Sequence, residues 1–234
     1  MKPILSYIMK YIVRGRINQI MTLGAPVLAF AMALWMGNGA NVSGRVQTSL
    51  SMSFIVQLFG IYMALAGVIV GMRGNCSLLW LFDRGYRKSA IIGMLLTAGF
   101  PVAFLQSFAV ISGLFLTGYL PGNIVPFAVL GAFVQSISVS AAGIFVGTIS
   151  RDVAVLQWVS LPLLLLGAVA INLAGVLDLS IIAALPFGVG MVVALGGLDN
   201  SMVPVFGAIT ASVLWTSAFI WLSVVGWKWS SRAA

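Results

Sequence analysis

The 234-residue chain has no histidine, no glutamate, four aspartates and one cysteine, Cys76. Each shortage excludes a class of chemistry. A lone cysteine without histidine makes neither an internal disulfide nor the usual Cys/His metal site, and axial haem ligation by histidine is impossible. General acid–base catalysis would rest on Asp83, Asp152, Asp178 and Asp199, which are dispersed along the chain. All four lie at the ends of apolar runs or between them, so no mid-membrane acid is present for a proton relay. A G-x-x-x-x-G-K-[ST] phosphate loop is also missing, and no polar segment is long enough to fold as a soluble ATPase domain. Only 7% of residues are charged, against about 25% in ordinary soluble domains. A water-soluble fold and an enzyme are both disfavoured, and no cofactor is expected in this chain.

What fills the chain is apolar: 61% of residues. Spans of about 20 residues each would consume this in six or seven crossings. The apolar runs place them at about 21–37, 52–72, 89–118, 124–150, 157–177 and 203–226. The longest polar connections are 38–51 and 73–88. A further apolar stretch, 181–197, carries Pro186, Gly188, Gly190, Gly196 and Gly197, too broken for a full crossing. It reads as a re-entrant or surface-lying outer hairpin.

The 12 lysines and arginines decide the count. With a cytoplasmic N-terminus and six spans, Arg45 alone falls outside; a crossing at 181–197 would also put Lys228 and Arg232 there. Clusters between apolar runs orient a membrane protein rather than form the basic face a nucleic acid needs, so no nucleic-acid partner is expected. Residues 1–19 are expected to form an amphipathic interfacial helix rather than a cleaved signal. Lys2, Ser6, Lys10 and Arg14 share one stripe opposite Ile4, Ile8, Tyr11 and Ile12, a pattern suited to anionic lipid headgroups. A solvated lead-in to the first span is the alternative. The expected architecture is thus an all-α integral membrane protein forming one domain over 1–234.

Within the spans, small and uncharged polar residues stand out. Ser136, Ser140, Gly143 and Gly147 form a helical stripe, and Gly67 and Gly71 a second small pair. Such stripes let helix backbones approach closely, within one subunit or at a dimer seam. Gln106, Gln135 and Asn172 are placed near mid-span, where they serve either as interhelical hydrogen-bond glue or as the lining of a substrate path. The connection 73–88, RGNCSLLWLFDRGYRK, has an apolar centre from Leu78 to Phe82 flanked by cations and Asp83. It reads as a short surface helix, held by lipid or docked on a partner through Trp80 and Phe82 with Arg84, Arg87 and Lys88 at the rim.

This order of parts resembles the membrane (permease) subunit of the second class of ABC exporters, the ABC-2 type permeases. The residues that carry the likeness are Gly74, Leu78 and Leu81, then Arg87, Lys88 and Ser89 through Gly93. To these are added Ala141-Ala-Gly-Ile-Phe-Val-Gly147 followed by Arg151, and a span with Pro162 and Gly167. The run Ser160-Leu-Pro-Leu-Leu-Leu-Leu-Gly167 is also similar to the haem-exporter B subunit of cytochrome c maturation. Gly85 stands near a position where the family often has proline, and the acidic residue usual after the loop glycine is missing. The resemblance implies a dimer, with a second permease copy or a similar chain, in a plasma (bacterial inner) membrane with both termini cytoplasmic. Two separate ABC ATPase subunits would hold the ATP and Mg. It makes 73–88 the coupling segment, with Leu78, Trp80, Phe82, Asp83, Arg84 and Arg87 receiving the ATPase, and has 181–197 shape the outer gate. The implied function is export of an amphipathic, peptide, lipid-like or haem-related substrate. A non-transporting structural or assembly subunit of a larger membrane complex is the alternative.

Overall fold

The computed structural model describes residues 20–174, 176–198 and 202–230. The interfacial helix expected at 1–19 lies outside the described residues, as does Asp199. All regular structure among the described residues is helical. A π-helical turn, Ile20–Gly24, leads into α1 (Ala25–Gly37). Then α2 (Val42–Gln57), a second π segment (Leu58–Tyr62) and α3 (Met63–Gly74) form one rod. Next come α4 (Ser77–Asp83), α5 (Lys88–Leu116), α6 (Val125–Ile149) and α7 (Val153–Asn172). The short pair α8 (Leu179–Ala184) and α9 (Val189–Leu198) precedes α10 (Met202–Ser230). Five helices are long and apolar enough to cross a membrane: Val42–Gly74, α5, α6, α7 and Met202–Trp227; the apolar helix Thr22–Gly37 is shorter.

Two expected boundaries move for physical reasons. The polar connection expected over 38–51 is helical from Val42, capped by Asn41, whose side chain accepts the Gly44 N–H at 2.8 Å. Its hydroxyls do not break the helix because they bond back to their own turn: Thr48 Oγ1 donates to Gly44 O and Ser53 Oγ to Ser49 O. The resulting 33-residue rod, Val42–Gly74, is far longer than the expected 52–72. The fifth span ends at Asn172 rather than 177, because the chain turns there, Leu177 N–H donating to Leu173 O.

The core forms around α6, which touches the rod, α5, α7, α9 and α10. Rod and α6 run side by side in the same direction, and their facing residues stay 81 positions apart, Phe54 beside Gln135 and Tyr62 beside Gly143. The approach is set by glycine. A Cβ on Gly143 would stand 2.6 Å from Tyr62 O, one on Gly147 2.9 Å from Ala66 O, and one on Gly131 2.6 Å from Gly190 O. These distances leave no room for any side chain. By contrast Gly67, of the second small pair, meets nothing within 4 Å.

The segment expected as an outer hairpin, 181–197, folds as α8, a turn and α9. It is enclosed by the bundle rather than laid along its surface: Met191, Val192, Val193 and Ala194 are buried. Gly197 packs on Phe127, in the first turn of α6, and Gly190 on Gln135. At the turn, Phe187 (φ 68°) stacks 6.2 Å from Phe219, which itself stacks 5.8 Å from Phe145. Phe145 lies 20 residues into α6, about 30 Å along its axis at about 1.5 Å per residue. The hairpin therefore reaches past the middle of the bundle. Asp178 caps α8, its carboxylate accepting the Ser180 N–H at 2.7 Å, and this bond holds its pKa below the ordinary carboxylate value.

The two ends of the bundle differ in charge. Arg73, Arg84, Arg87, Lys88, Arg151 and Lys228 belong to one end, where α3, α4, the α6–α7 turn and the end of α10 meet. The opposite end has Arg45, set 5.2 Å over the Tyr119 ring, and Asp178. Arg73 ties the basic end together, its guanidinium donating to Ser150 O and, at 2.8 Å, to Thr148 O, the last carbonyls of α6. A cation there meets both unpaired carbonyls and the negative end of the helix dipole. Arg73→Leu is expected to cost about 2 kcal/mol. Arg73→Lys should recover only part, since an ammonium lacks the planar fork that spans two carbonyls. Thermal unfolding of the detergent-solubilised protein checks both.

Candidate functional site

Two places concentrate side chains with chemistry. The first is a buried polar centre where the rod changes from α to π geometry. A π turn frees backbone carbonyls and recurs at functional positions; here it begins directly after Gln57. Gln57 is fully buried, its Nε2 donating to Ala132 O at 3.1 Å and to Ser136 Oγ at 3.0 Å. One position from Ser136 on α6, Gln135 donates to Phe54 O at 3.3 Å. On the α5 side, Gln106 packs on Gly60 and donates to Thr22 O at 2.9 Å, and Ser107 donates to Ser53 O. Of the three glutamines, Gln106 packs on the π segment, Gln57 directly precedes it, and Gln135 bonds one turn before it, at Phe54. A second cluster lies on another face of α6, where Ser138 Oγ pairs with Ser212 Oγ at 2.6 Å and Thr216 Oγ1 at 2.8 Å.

The path residues expected from sequence are divided by this arrangement. Gln106 and Gln135 belong to the centre. Asn172 does not: it lies exposed at the last turn of α7 and donates back to Ala168 O, because α7 ends five residues earlier than its apolar run suggests. In the small stripe, Ser136 joins the polar centre, Gly143 and Gly147 seat the rod, and Ser140 is buried between them. Gln57, Ser107 and Ser138 went unmarked by sequence reasoning, and Arg73 was read only as a cation of the connection 73–88. The signal for Gln57 was its place on a helical stripe with Ser49 and Ser53, visible once 42–51 is read as helix.

The second place is α4, at the basic end. Leu78 and Leu81 are buried, and Phe82 stacks edge-on against Trp227 of α10 at 5.7 Å. Phe82, expected as an outward anchor, therefore faces inward with Leu78: these side chains fasten α4 to the bundle. The outward face consists of Leu79, Trp80, Asp83 and Arg84, with the Arg84 guanidinium 4.2 Å over the Trp80 ring and Arg87 exposed beyond. The helix stops at Gly85 (φ 79°), with Gly85 N–H donating to Phe82 O and Tyr86 N–H to Leu81 O. Proline could not adopt that φ, which accounts for glycine at this position.

No group of three or more His, Cys, Asp or Glu side chains that could hold a metal occurs among the described residues. The arrangement is that of an all-helical protein with several helices fit to cross a membrane, compatible with a membrane-embedded location. Compared with protein-family models, curated proteins and solved structures, the chain matches none.

Proposed function

We propose that the chain is the transmembrane subunit of an ATP-driven exporter of the ABC-2 type. It moves an amphipathic, peptide, lipid-like or haem-related cargo, with its basic end in the cytoplasm. In this reading α1 and the five long helices make six crossings, 181–197 is re-entrant from the outer side, and ATP and Mg are held by separate ATPase subunits. The permease works as a dimer of itself or with a similar chain, in a plasma (bacterial inner) membrane. The observation that carries the reading is α4. It is a short amphipathic helix at the basic end that offers Trp80 and Arg84 outward while Phe82 clamps Trp227, at the end of α10. A push on its outer face is transmitted to the rod through Asn75 and Arg73 and to α10 through that stacked pair, as a two-state shift requires.

Affinity purification of the tagged chain from its native membrane tests this. A P-loop ATPase subunit should co-purify, and its ATP hydrolysis should depend on the chain. A purified assembly lacking any nucleotide-binding subunit would sink the proposal.

A second reading, a structural or assembly subunit, is favoured by one observation. The glutamine amides and the Ser138 cluster bond between helices, as packing glue does. Under it, substitutions at Gln106 and Gln135 lower assembly and leave no transport to lose.

A further inference from the structure

Gln57 and Gln135 share a property that the packing leaves unused. Both are fully buried, and both amide nitrogens are committed, to Ala132 O and Ser136 Oγ in one case and to Phe54 O in the other. Those partners fix the amide orientations. Turning Gln57 over would point its oxygen at Ala132 O, which already accepts the Ser136 hydroxyl; turning Gln135 would set two oxygens together at Phe54. The carbonyl oxygens are the free ends. Neither Gln57 Oε1 nor Gln135 Oε1 receives a hydrogen bond from any described residue, and the same holds for Ser140 Oγ, one turn further along α6. Buried acceptors are ordinarily satisfied, and leaving them without a donor is costly. No charged residue occurs in the rod between Arg45 and Arg73, in α6 or in α9.

From this chemistry we infer that Gln57 and Gln135 form an acceptor site for the hydrogen-bond-donating headgroup, hydroxyl or amine, of an amphiphilic cargo, and that the site rejects anionic headgroups. The inference rests on the exporter reading and names its substrate class. A hydroxyl or amine brings hydrogens to two waiting oxygens. A carboxylate or phosphate brings only further acceptors and a negative charge, which two carbonyl oxygens repel and no nearby cation offsets, whereas an ammonium brings N–H donors and a positive charge that the same oxygens attract. The surroundings of Gln135 are otherwise apolar, its Oε1 and the Phe54 ring both packing on Gly190.

The test uses the purified chain alone in phosphatidylcholine nanodiscs, with the glutamine side-chain carbonyls labelled by carbon-13, read by isotope-edited infrared spectroscopy. Two of the six glutamines should give a free-carbonyl component, one lost in Gln57→Met and the other in Gln135→Met, which keep side-chain length. Decanol or decylamine should move that component to the hydrogen-bonded position, and which of the two does so assigns the headgroup. Decanoate and decyl phosphate should leave it unmoved. The inference is overturned if the wild type shows no free component, as it would if water already bonds both oxygens. It is also overturned if neither donor probe moves the component, or if the anions move it equally. Where a variant fails to fold, the wild-type titration with the four probes decides. Since no ATPase subunit takes part, failure here leaves the exporter reading standing, and failure to find an ATPase leaves this result standing.

Discussion

Gly143→Ala is expected to destabilise the protein by about 2 kcal/mol, although alanine is the better helix former, whereas Gly67→Ala is expected to be neutral or stabilising. In an exposed helix the substitution gains roughly 0.5–1 kcal/mol through propensity alone. That gain is available at Gly67, where the added carbon meets nothing within 4 Å. At Gly143 the same carbon would stand 2.6 Å from Tyr62 O, and a backbone atom cannot swing aside as a flexible side-chain end does. Rod and α6 must separate, and overpacking of this kind costs roughly 1–3 kcal/mol. The separation would also lengthen the Gln135 bond to Phe54 O about two turns away along the seam, already 3.3 Å. Thermal unfolding followed by size-exclusion chromatography reads the contrast directly. Equal midpoints for the two variants would mean that Gly143 does not set the rod–α6 distance. Lipid adds no hydrophobic drive between helices, so close backbone contact is what holds such a seam.

The same seam shows which features were legible in the sequence. Long apolar runs gave α5, α6 and α10 nearly to their ends, since membrane-length hydrophobicity needs no tertiary context. Pro186 with Gly188 and Gly190 marked a break, and the chain does reverse there. What was not legible depended on partners. Ser49, Ser51 and Ser53 give a polar window, yet all three are buried among neighbouring helices, so the rod begins ten residues before the expected span start. That shift places Gln57 deep in the bundle rather than near a span end. At Asn172 the error ran the other way: apolarity continued past the turn, and a residue expected at mid-span lies at a helix end. For α4, composition could not say which aromatic faced out, because Trp80 and Phe82 are two positions apart and a seven-residue helix gives little periodicity.

That distinction carries the last prediction. Under the exporter proposal, Trp80→Ala combined with Arg84→Glu should weaken binding of the ATPase subunit by roughly 30-fold, the equivalent of about 2 kcal/mol for loss of a tryptophan anchor and its flanking cation. It should leave the thermal midpoint of the chain itself within about a degree, because surface substitutions away from packed contacts usually change stability by less than about 0.5 kcal/mol. Trp80 is 49% exposed, and its contact with Arg84 lies on the outer face, so the inward attachments of α4 survive the change. Phe82→Ala tests the other half of the lever. It removes the edge-on contact with Trp227, so the midpoint should fall, and coupling should fall with it even where the ATPase subunit still binds. Titrating the proposed ATPase subunit, once purified, onto the chain in nanodiscs, with hydrolysis measured in parallel, separates docking from transmission. Trp80/Arg84 variants should be rescued at high ATPase concentration, since only affinity is lost, whereas Phe82→Ala should not, since the linkage to α10 is what has been cut. An unchanged dissociation constant for Trp80→Ala/Arg84→Glu would remove α4 as the docking element and with it the main support for an ATP-driven reading.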